Sequence, residues 1–270
     1  MLLPRVLTAL VLLPLLLGAI FLLSTPQLYL VFSVVGVLAA WEWCGFMGVV
    51  TALPRIAFAT AMALTLAAVW LLTSGAAHAL LPALVSLLWW CFARTLVLRF
   101  PASFSKGPWS SLRMAPLGLV LIAATIITVA ALHRQGNGPW RLMFMLFIVF
   151  AADVGAYLVG RNYGKRKLAP AVSPGKSIEG ALGGLALVAL WAAAAGPYVF
   201  QIDSLLQWAL LIAVSVFTAA VSVIGDLTES LFKRLRGLKD SGNLLPGHGG
   251  VLDRIDSILA AAPVFYLGVT

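Results

Sequence analysis

Charged residues are scarce in this 270-residue chain: 18 Lys and Arg and 9 Asp and Glu make up 10% of it. Soluble domains carry roughly 25% charged residues, so this scarcity and a mean hydropathy of +1.03 exclude a soluble globular enzyme and a disordered tail. Cysteine is scarce too, since only Cys44 and Cys91 occur, both in apolar stretches. A disulfide framework and a zinc cluster are therefore excluded. Apolar residues make up 62% of the chain, which indicates a polytopic membrane protein.

Nine long apolar runs account for most of this composition. A spanning helix needs about 20 mostly apolar residues, and hydrocarbon forces the backbone groups of each span to pair within it. We therefore predict an all-α polytopic integral membrane protein with about nine transmembrane helices, the first retained as an anchor rather than cleaved as a signal peptide. The predicted spans are Val6–Leu23, Leu28–Phe46, Ile56–Thr73, His78–Arg94, Ala115–Leu132, Leu142–Gly160, Gly180–Phe200, Leu205–Gly225 and Val251–Val269.

The basic residues predict the orientation of these spans. With a cytoplasmic N-terminus, 16 of the 18 Lys and Arg fall on the cytoplasmic side, and Arg134 and Arg141 fall outside. This is a strong positive-inside bias, so the pI of about 10.1 indicates topology and no nucleic-acid partner is expected. We expect a multi-pass protein of the cell (cytoplasmic, inner) membrane, with its C-terminus outside and its active site on the cytoplasmic side.

The acidic residues are concentrated late in the chain. Five of the nine lie within 31 residues, intermixed with a similar number of cations: Asp226, Glu229, Asp240, Asp253 and Asp256. A loop that only sets topology needs positive charge alone, so a balanced cluster indicates a site.

We predict an N-terminal transmembrane region, 1–140, of about five helices that form either a lipid cavity or dimer contacts. The catalytic region is then 141–270, with cytoplasmic loops at 161–179 and 226–250.

Helical spacing places several of these side chains together. Glu229, Ser230 and Lys233 follow Asp226 by three, four and seven residues, which is one helix face. Asp253 and Asp256 likewise share a face at the start of the last span. An unpaired carboxylate in the membrane costs roughly 2.5–3.5 kcal/mol, so a cation is expected nearby, and oxygen ligands of this kind suit Mg²⁺. The alternative is that these acids only pair with neighbouring Lys and Arg.

Two stretches resemble the phosphatidate cytidylyltransferase family, also called CDP-diacylglycerol synthases. Residues 230–256 read SLFKRLRGLKDSGNLLPGHGGVLDRID, and the family pattern is S-x-x-K-R, four residues, K-D, a short turn and H-G-G-x-x-D-R-x-D. Residues 153–180 read DVGAYLVGRNYGKRKLAPAVSPGKSIEG and are similar to the family's upstream block. Together the blocks cover about 60 residues, nearly all in the second half of the chain.

The resemblance implies that CTP and phosphatidic acid react to give CDP-diacylglycerol and pyrophosphate, in phospholipid biosynthesis. The implied cofactor is Mg²⁺, at two cation sites, and the expected partners are CTP, membrane lipid and a second copy in a homodimer. The expected catalytic residues are Asp226, Lys233, Asp253 and Asp256, and the three aspartates among them are the expected metal ligands. The expected substrate-binding residues are Lys176, Ser177, Ser230, Arg234, Lys239, Asp240, His248, Gly249, Gly250 and Arg254.

Two further acids lie within predicted spans, outside this late cluster. Asp153 is a functional candidate by default because intramembrane acids are expensive, and the alternative is a buried polar link between helices. With Glu229 it is a possible supporting residue. Glu42 lies between Trp41 and Trp43, and a snorkelling acid in an interfacial Trp belt explains it as well as a site does.

Two other functions remain open at this stage. A CTP-using lipid kinase would release CDP rather than pyrophosphate. A transporter or scaffold would place charge near the membrane midplane and often show repeated halves, neither of which the sequence has. A CDP-alcohol phosphotransferase is excluded, because its D-G-x-x-A-R pattern is absent from 225–230, which reads GDLTES.

Overall fold

A computed structural model of the chain describes residues 3–72 and 79–270. These ranges form nine α-helices, a 3-10 turn at Ala102–Phe104 and one two-stranded antiparallel sheet. The helices are α1 (Leu3–Leu22), α2 (Thr25–Met47), α3 (Ala52–Leu72), α4 (Leu80–Leu98), α5 (Ser111–Arg134), α6 (Gly138–Tyr163), α7 (Ile178–Val199), α8 (Leu205–Leu235) and α9 (Leu252–Val269). Seven of these, α2 to α8, are long and apolar enough to cross a membrane, as expected of a multi-pass membrane protein.

The predicted spans coincide with these helices, with two qualifications. The first predicted span contains the apolar part of α1, Leu10–Leu22, which is shorter than the α2–α8 spans. The last is α9, whose 18 residues begin with a charged first turn. Thr73 and His78, where two predicted spans end and begin, lie outside the described residues.

The described chain is predominantly helical, in agreement with the all-α prediction, and one short segment between α6 and α7 is not helical. Strands β1 (Lys167–Ala169) and β2 (Ser173–Ser177) form a hairpin there, with Lys167 opposite Ser177 and a register irregularity between the paired positions. The predicted loop 161–179 thus contains the end of α6, this hairpin and the start of α7. Backbone groups between two helix ends need partners, and the hairpin provides them.

Side-chain caps and a glycine define several helix ends. Gln27 Oε1 accepts a hydrogen bond from Ser24 N (2.9 Å) at the start of α2, and Gly48, at φ 74°, ends that helix in the left-handed region. Ser177 and Ser204 cap α7 and α8 by accepting bonds from Gly180 N and Gln207 N. Because Ser177 belongs to β2, this cap joins the hairpin rigidly to α7.

The bundle is built around α5. In its most apolar 18-residue stretch 72% of the residues are buried, compared with 17% in the corresponding stretch of the peripheral α3. Helices α6 and α7 approach closely through glycines. A Cβ added at Gly155 would lie 2.7 Å from Gly183 O, and one added at Gly184 would lie 2.5 Å from Ala152 O. Small residues allow such backbone contact between membrane helices. This packing keeps the end of α6 beside the hairpin.

The predicted loop 226–250 does not begin at residue 226. Helix α8 continues for ten residues beyond Gly225, to Leu235, so its polar end is helical, as the spacing of its charged residues indicates. The non-helical segment starts after Leu235 and includes Gly237, Gly247 and Gly249 at positive φ and a bridge between Leu245 and Gly249. It leads directly into α9.

Candidate active site

Lys233 joins the charged end of α8 to the start of α9. Its Nζ donates to Glu229 Oε2 (2.8 Å) and to Asp253 Oδ1 (2.7 Å). The three side chains are 14%, 4% and 6% exposed. Buried carboxylates need such a partner, so this cation neutralises two acids of different helices at one point.

A second ion pair joins the hairpin to α8. Lys176, on β2, pairs with Asp226, and both side chains are about a quarter exposed. Ser230 Oγ lies 3.4 Å from the other oxygen of Asp226, and Asp153 is close enough to interact with both Lys176 and Asp226. Residues from α6, the hairpin and α8 therefore meet here, although Asp153 and Lys176 are far from Asp226 in sequence.

Asp256 connects the two ion pairs. It lies near both Asp226 and Glu229, while its Oδ1 accepts a bond from Ser257 N (2.6 Å). Of the predicted carboxylates, Asp253 is held by Lys233, whereas Asp256 lies between Asp226 and Glu229. The result is a chain of charged residues that runs from Lys176 through Asp226, Asp256 and Glu229 to Lys233 and Asp253.

Most acceptor positions of Asp253 are occupied by three donors of the protein. Besides Lys233, it accepts bonds from Ser241 N (3.0 Å to Oδ2) and Gly250 N (2.9 Å to Oδ2), and Ser241 N is also 3.2 Å from Oδ1. A carboxylate has about four acceptor positions. Asp253 therefore holds the loop before α9 in place, and its role as a metal ligand stays a prediction.

A polar groove of ≈ 620 Å³ opens beside Asp253, in the segment before α9. Five of the predicted substrate-binding residues line it, together with Asn243, which the sequence analysis missed: Lys239, Asp240, His248, Gly249 and Arg254. Arg254 donates to His248 O (2.9 Å), and Gly249, at φ 84°, has no room for a side chain because a Cβ would lie 3.0 Å from Asp253 Oδ2. Cations and accessible backbone suit a phosphate chain.

Two pockets lie at the other end of the charge chain. One, of ≈ 370 Å³, is lined by Asp153, Arg161, Lys176 and residues of α6 to α8. The other, of ≈ 240 Å³, is almost wholly apolar and has Arg94 in its lining. Leu168, Ala181 and Val223 line both pockets, so the two are adjacent. Cations beside apolar walls at the membrane suit a lipid with an anionic headgroup.

Three predicted residues have mainly structural contacts. Arg234 points to the hairpin, with Nε 3.4 Å from Val172 O. Ser177 is the cap of α7, and Gly250 is buried against Ser241 and Glu42. Arg234 and Gly250 do not line the polar groove, although Gly250 follows Gly249, which does, and Ser177 lines the pocket that contains Lys176.

The acids between the two ion pairs offer ligands for a divalent cation. In the part of the chain that the structure describes, no three Asp, Glu, His or Cys side chains already form a ligand set. Glu229 Oε1 is nevertheless buried without a hydrogen-bond partner, close to Asp256. A buried carboxylate oxygen without a donor is costly, so these oxygens fit a hard cation such as Mg²⁺.

Glu42 is an acid whose role the sequence leaves open. It is buried, 4% exposed, and its carboxylate contacts the loop before α9 rather than the membrane surface. The interfacial explanation is therefore wrong. The sequence shows only an acid inside an apolar span. This pattern does not reveal that the partners of the acid lie about 200 residues away.

The fold defines a multi-pass membrane protein in which a chain of charged residues runs between a polar groove and two adjacent pockets with apolar walls. The cytidylyltransferase family model matches residues 3–270. The chain belongs to this family.

Curated relatives agree with that assignment. A Pseudomonas aeruginosa protein named phosphatidate cytidylyltransferase is 45% identical over 267 residues, which are 98% of this chain and 96% of that protein. A Haemophilus influenzae protein of the same name is 41% identical over 283 aligned residues, which cover 98% of this chain and 97% of that one. A Bacillus subtilis protein of the same name is 40% identical over 127 residues, 46% and 45% of the two chains. The similarity of the first two extends through the N-terminal half, where the sequence offers no motif.

Proposed function

We propose that this chain is a phosphatidate cytidylyltransferase that transfers the cytidylyl group of CTP to phosphatidic acid, releasing pyrophosphate. The observation that carries the proposal is the charge chain from Lys176 to Asp253, because it connects a polar groove with pockets that have apolar walls. A water-soluble nucleotide and a membrane lipid can approach such a site from opposite ends. The names of the two full-length relatives support the same reaction.

CTP fits the polar groove. Lys239 and Arg254 supply positive charge for the triphosphate, and the backbone around Gly249 is open to a phosphate oxygen. His248 Nδ1 is buried without a partner in the described chain and is available to the nucleotide. Arginine can fork onto phosphate oxygens, so Arg254 would hold the departing pyrophosphate.

Phosphatidic acid fits the adjoining pockets. Lys176 and Arg161 lie where the phosphate headgroup would sit, and the apolar pocket shared by α4, α7 and α8 would take an acyl chain. Binding to the headgroup would draw Lys176 away from Asp226, which would leave that carboxylate without its cation partner.

The chemistry requires little proton transfer. An oxygen of the lipid phosphate, already anionic at neutral pH, attacks the α-phosphorus of CTP. The bond from that phosphorus to the β-phosphate oxygen breaks, and both electrons leave with pyrophosphate. The barrier is the repulsion between two anions, so catalysis consists mainly of positioning and electrostatic stabilisation. Lys176, Lys233 and Arg254 would supply the fixed positive charge.

Mg²⁺ is the proposed cofactor. Asp226 and Asp256 would hold it, with Glu229 beside them, because these oxygens are less occupied by protein donors than those of Asp253. When bound, it would neutralise phosphate charge near the reacting oxygen. A second cation site remains part of the proposal, with Asp253 as its predicted ligand.

A product assay with the purified full-length protein tests the function. Phosphatidic acid, CTP and Mg²⁺ should give CDP-lipid and pyrophosphate in equal amounts, whereas the lipid-kinase alternative gives CDP. Asp226→Asn should lose at least about 100-fold of this turnover, because charge stabilisation at the reacting centre is typically worth that much. Leu210→Ala, on the exposed face of α8, is the matched control and should keep full activity. Full activity of Asp226→Asn would overturn its assignment.

For the membrane topology, we propose the orientation that the distribution of basic residues predicts. All nine helices would cross the inner membrane, with the N-terminus and the site at the cytoplasmic face and the C-terminus outside. Arg134 and Arg141 lie at the end of α5 and the start of α6, opposite the charged end of α8. Residues 1–140 would support the catalytic region 141–270, and a homodimer remains the expected assembly.

A further inference from the structure

Glu42 lies on α2, in the half of the chain without sequence motifs, and its carboxylate is surrounded by donors of the catalytic half. Val251 N donates to Oε1 (3.1 Å), and Leu252 N donates to Oε2 (2.8 Å). Ser241 Oγ donates to Oε2 as well (3.1 Å). All three donors belong to residues 241–252, which lie about 200 positions away in sequence.

These contacts satisfy the start of α9. The first N–H groups of a helix lack acceptors within the helix, and negative charge is favourable at that end. The residue before α9, Val251, has no side chain that can cap it. Glu42 therefore provides from another helix the acceptor that α9 lacks.

The loop is shaped to admit this carboxylate. A Cβ at Gly242 or at Gly250 would overlap the carboxylate of Glu42, and one at Gly250 would also overlap Ser241 Oγ. Only glycine allows the backbone to approach so closely at both positions. Two glycines of the loop thus enclose one acid of α2.

Ser241 extends the contact to the charge chain. Its Oγ accepts a bond from Asp253 N (3.3 Å) while donating to Glu42, and its own N donates to Asp253 Oδ2 (3.0 Å). Asp253 in turn holds Lys233 (2.7 Å). A continuous series of hydrogen bonds therefore runs from Glu42 through Ser241 and Asp253 to Lys233.

We propose that Glu42 is a positioning residue for the nucleotide half of the active site. It holds loop 241–252 against α2, and thereby sets the backbone of His248 and Gly249 and the orientation of Asp253, without contacting either substrate. This inference rests on the proposed function only where it is tested by the kinetics of CTP turnover. It also assigns the N-terminal region a role, since α2 becomes part of the support of the groove.

The test compares Glu42→Gln with wild type in the purified full-length protein. A glutamine keeps only one acceptor oxygen. Its amide NH2 group replaces the other oxygen and faces hydrogen-bond donors of the loop, with which it cannot pair. The expected result is a fall in kcat/KM for CTP of about 10–100-fold, the range seen for groups that act through a neighbouring ligand, with the KM for phosphatidic acid unchanged. Ser241→Ala should show a smaller loss of the same kind, and the double variant should lose less than the product of the two factors, because contacting residues couple.

Cys44→Ala is the matched control, because Cys44 is fully buried on the same helix two residues away. It should lower the melting temperature without changing the KM for CTP. Amide hydrogen exchange provides a readout that needs no turnover: Glu42→Gln should expose the amides of Val251 and Leu252 to faster exchange, and Cys44→Ala should not.

The outcomes separate this inference from the proposed function. If the wild-type protein makes no CDP-lipid, the proposed function is overturned. The hydrogen exchange of the Val251 and Leu252 amides then still decides whether Glu42 holds the loop. Unchanged exchange in Glu42→Gln overturns the inference, as does an equal loss toward both substrates. If Glu42→Gln does not fold, Ser241→Ala carries the same comparison.

Discussion

Replacing Lys233 with methionine is expected to destabilise the protein strongly as well as inactivate it. Methionine keeps much of the volume of the side chain but removes the cation between Glu229 and Asp253, which are 4% and 6% exposed. Breaking a buried ion pair by removing one partner costs about 3–5 kcal/mol, because an uncompensated charge stays buried. Two acids depend on Lys233, so the upper part of that range is expected.

The assay is thermal melting of the full-length protein in detergent. At about 2–4 °C per kcal/mol for chains of this size, the melting temperature of Lys233→Met should fall on the order of 10 °C. The double variant Lys233→Met, Glu229→Gln should regain a large part of this loss, because Asp253 keeps its bonds to Ser241 N and Gly250 N. Activity should stay absent in both.

Lys239→Met is the control for this measurement. Lys239 is an exposed cation of the groove, and exposed charges contribute little to stability, so its loss should affect CTP binding but not melting. A melting temperature of Lys233→Met within about 2 °C of wild type, or no recovery in the double variant, would refute the reasoning that Lys233 neutralises two buried acids.

Two further predictions concern the lipid side of the protein. Val223→Trp should fill the space shared by the two pockets proposed for the lipid and lower kcat/KM for long-chain phosphatidic acid about tenfold or more, with a smaller effect on a short-chain analogue. Leu210→Trp, on the exposed face of α8, is the control. Equal losses for both chain lengths would contradict the proposal that these pockets bind the acyl chain. Alkaline phosphatase fused after Thr270 should be active, because the proposed topology places the C-terminus outside; an inactive fusion, with a fusion in the 99–110 loop active instead, would reverse the proposed orientation.

Much of the fold was predictable because hydrocarbon imposes strict conditions on a chain. Each span must be long, apolar and helical, so the runs in the sequence predict the positions of α2 to α7 and the start of α8 within a few residues. The hairpin 167–177 was not predictable in this way, since its strands are short and neither alternates clearly. The length of α8 beyond Gly225 was indicated only by the spacing of Glu229 and Lys233.

The residues of the site were predictable from their local patterns, but their partners were not. Lys176, Asp226 and Asp253 stand out as charges beside apolar spans, and their expected roles remain predictions. Their pairing is a matter of packing. Lys176 reaches Asp226 because Ser177 anchors β2 to α7, and Lys233 pairs with Asp253, whereas Asp256 lies near Asp226, although the two acids share a predicted helix face. Only the arrangement of the helices decides which acid a cation meets.

The sequence alone determined that this chain lies in a membrane, where its helices run and which charged residues belong together chemically, because hydropathy and helical spacing act over short stretches. The tertiary structure alone decided that an acid from α2 contacts the start of α9 and that the charges form a chain between the polar groove and the pockets with apolar walls. Those contacts join residues up to 210 positions apart, and no local preference of the chain specifies them.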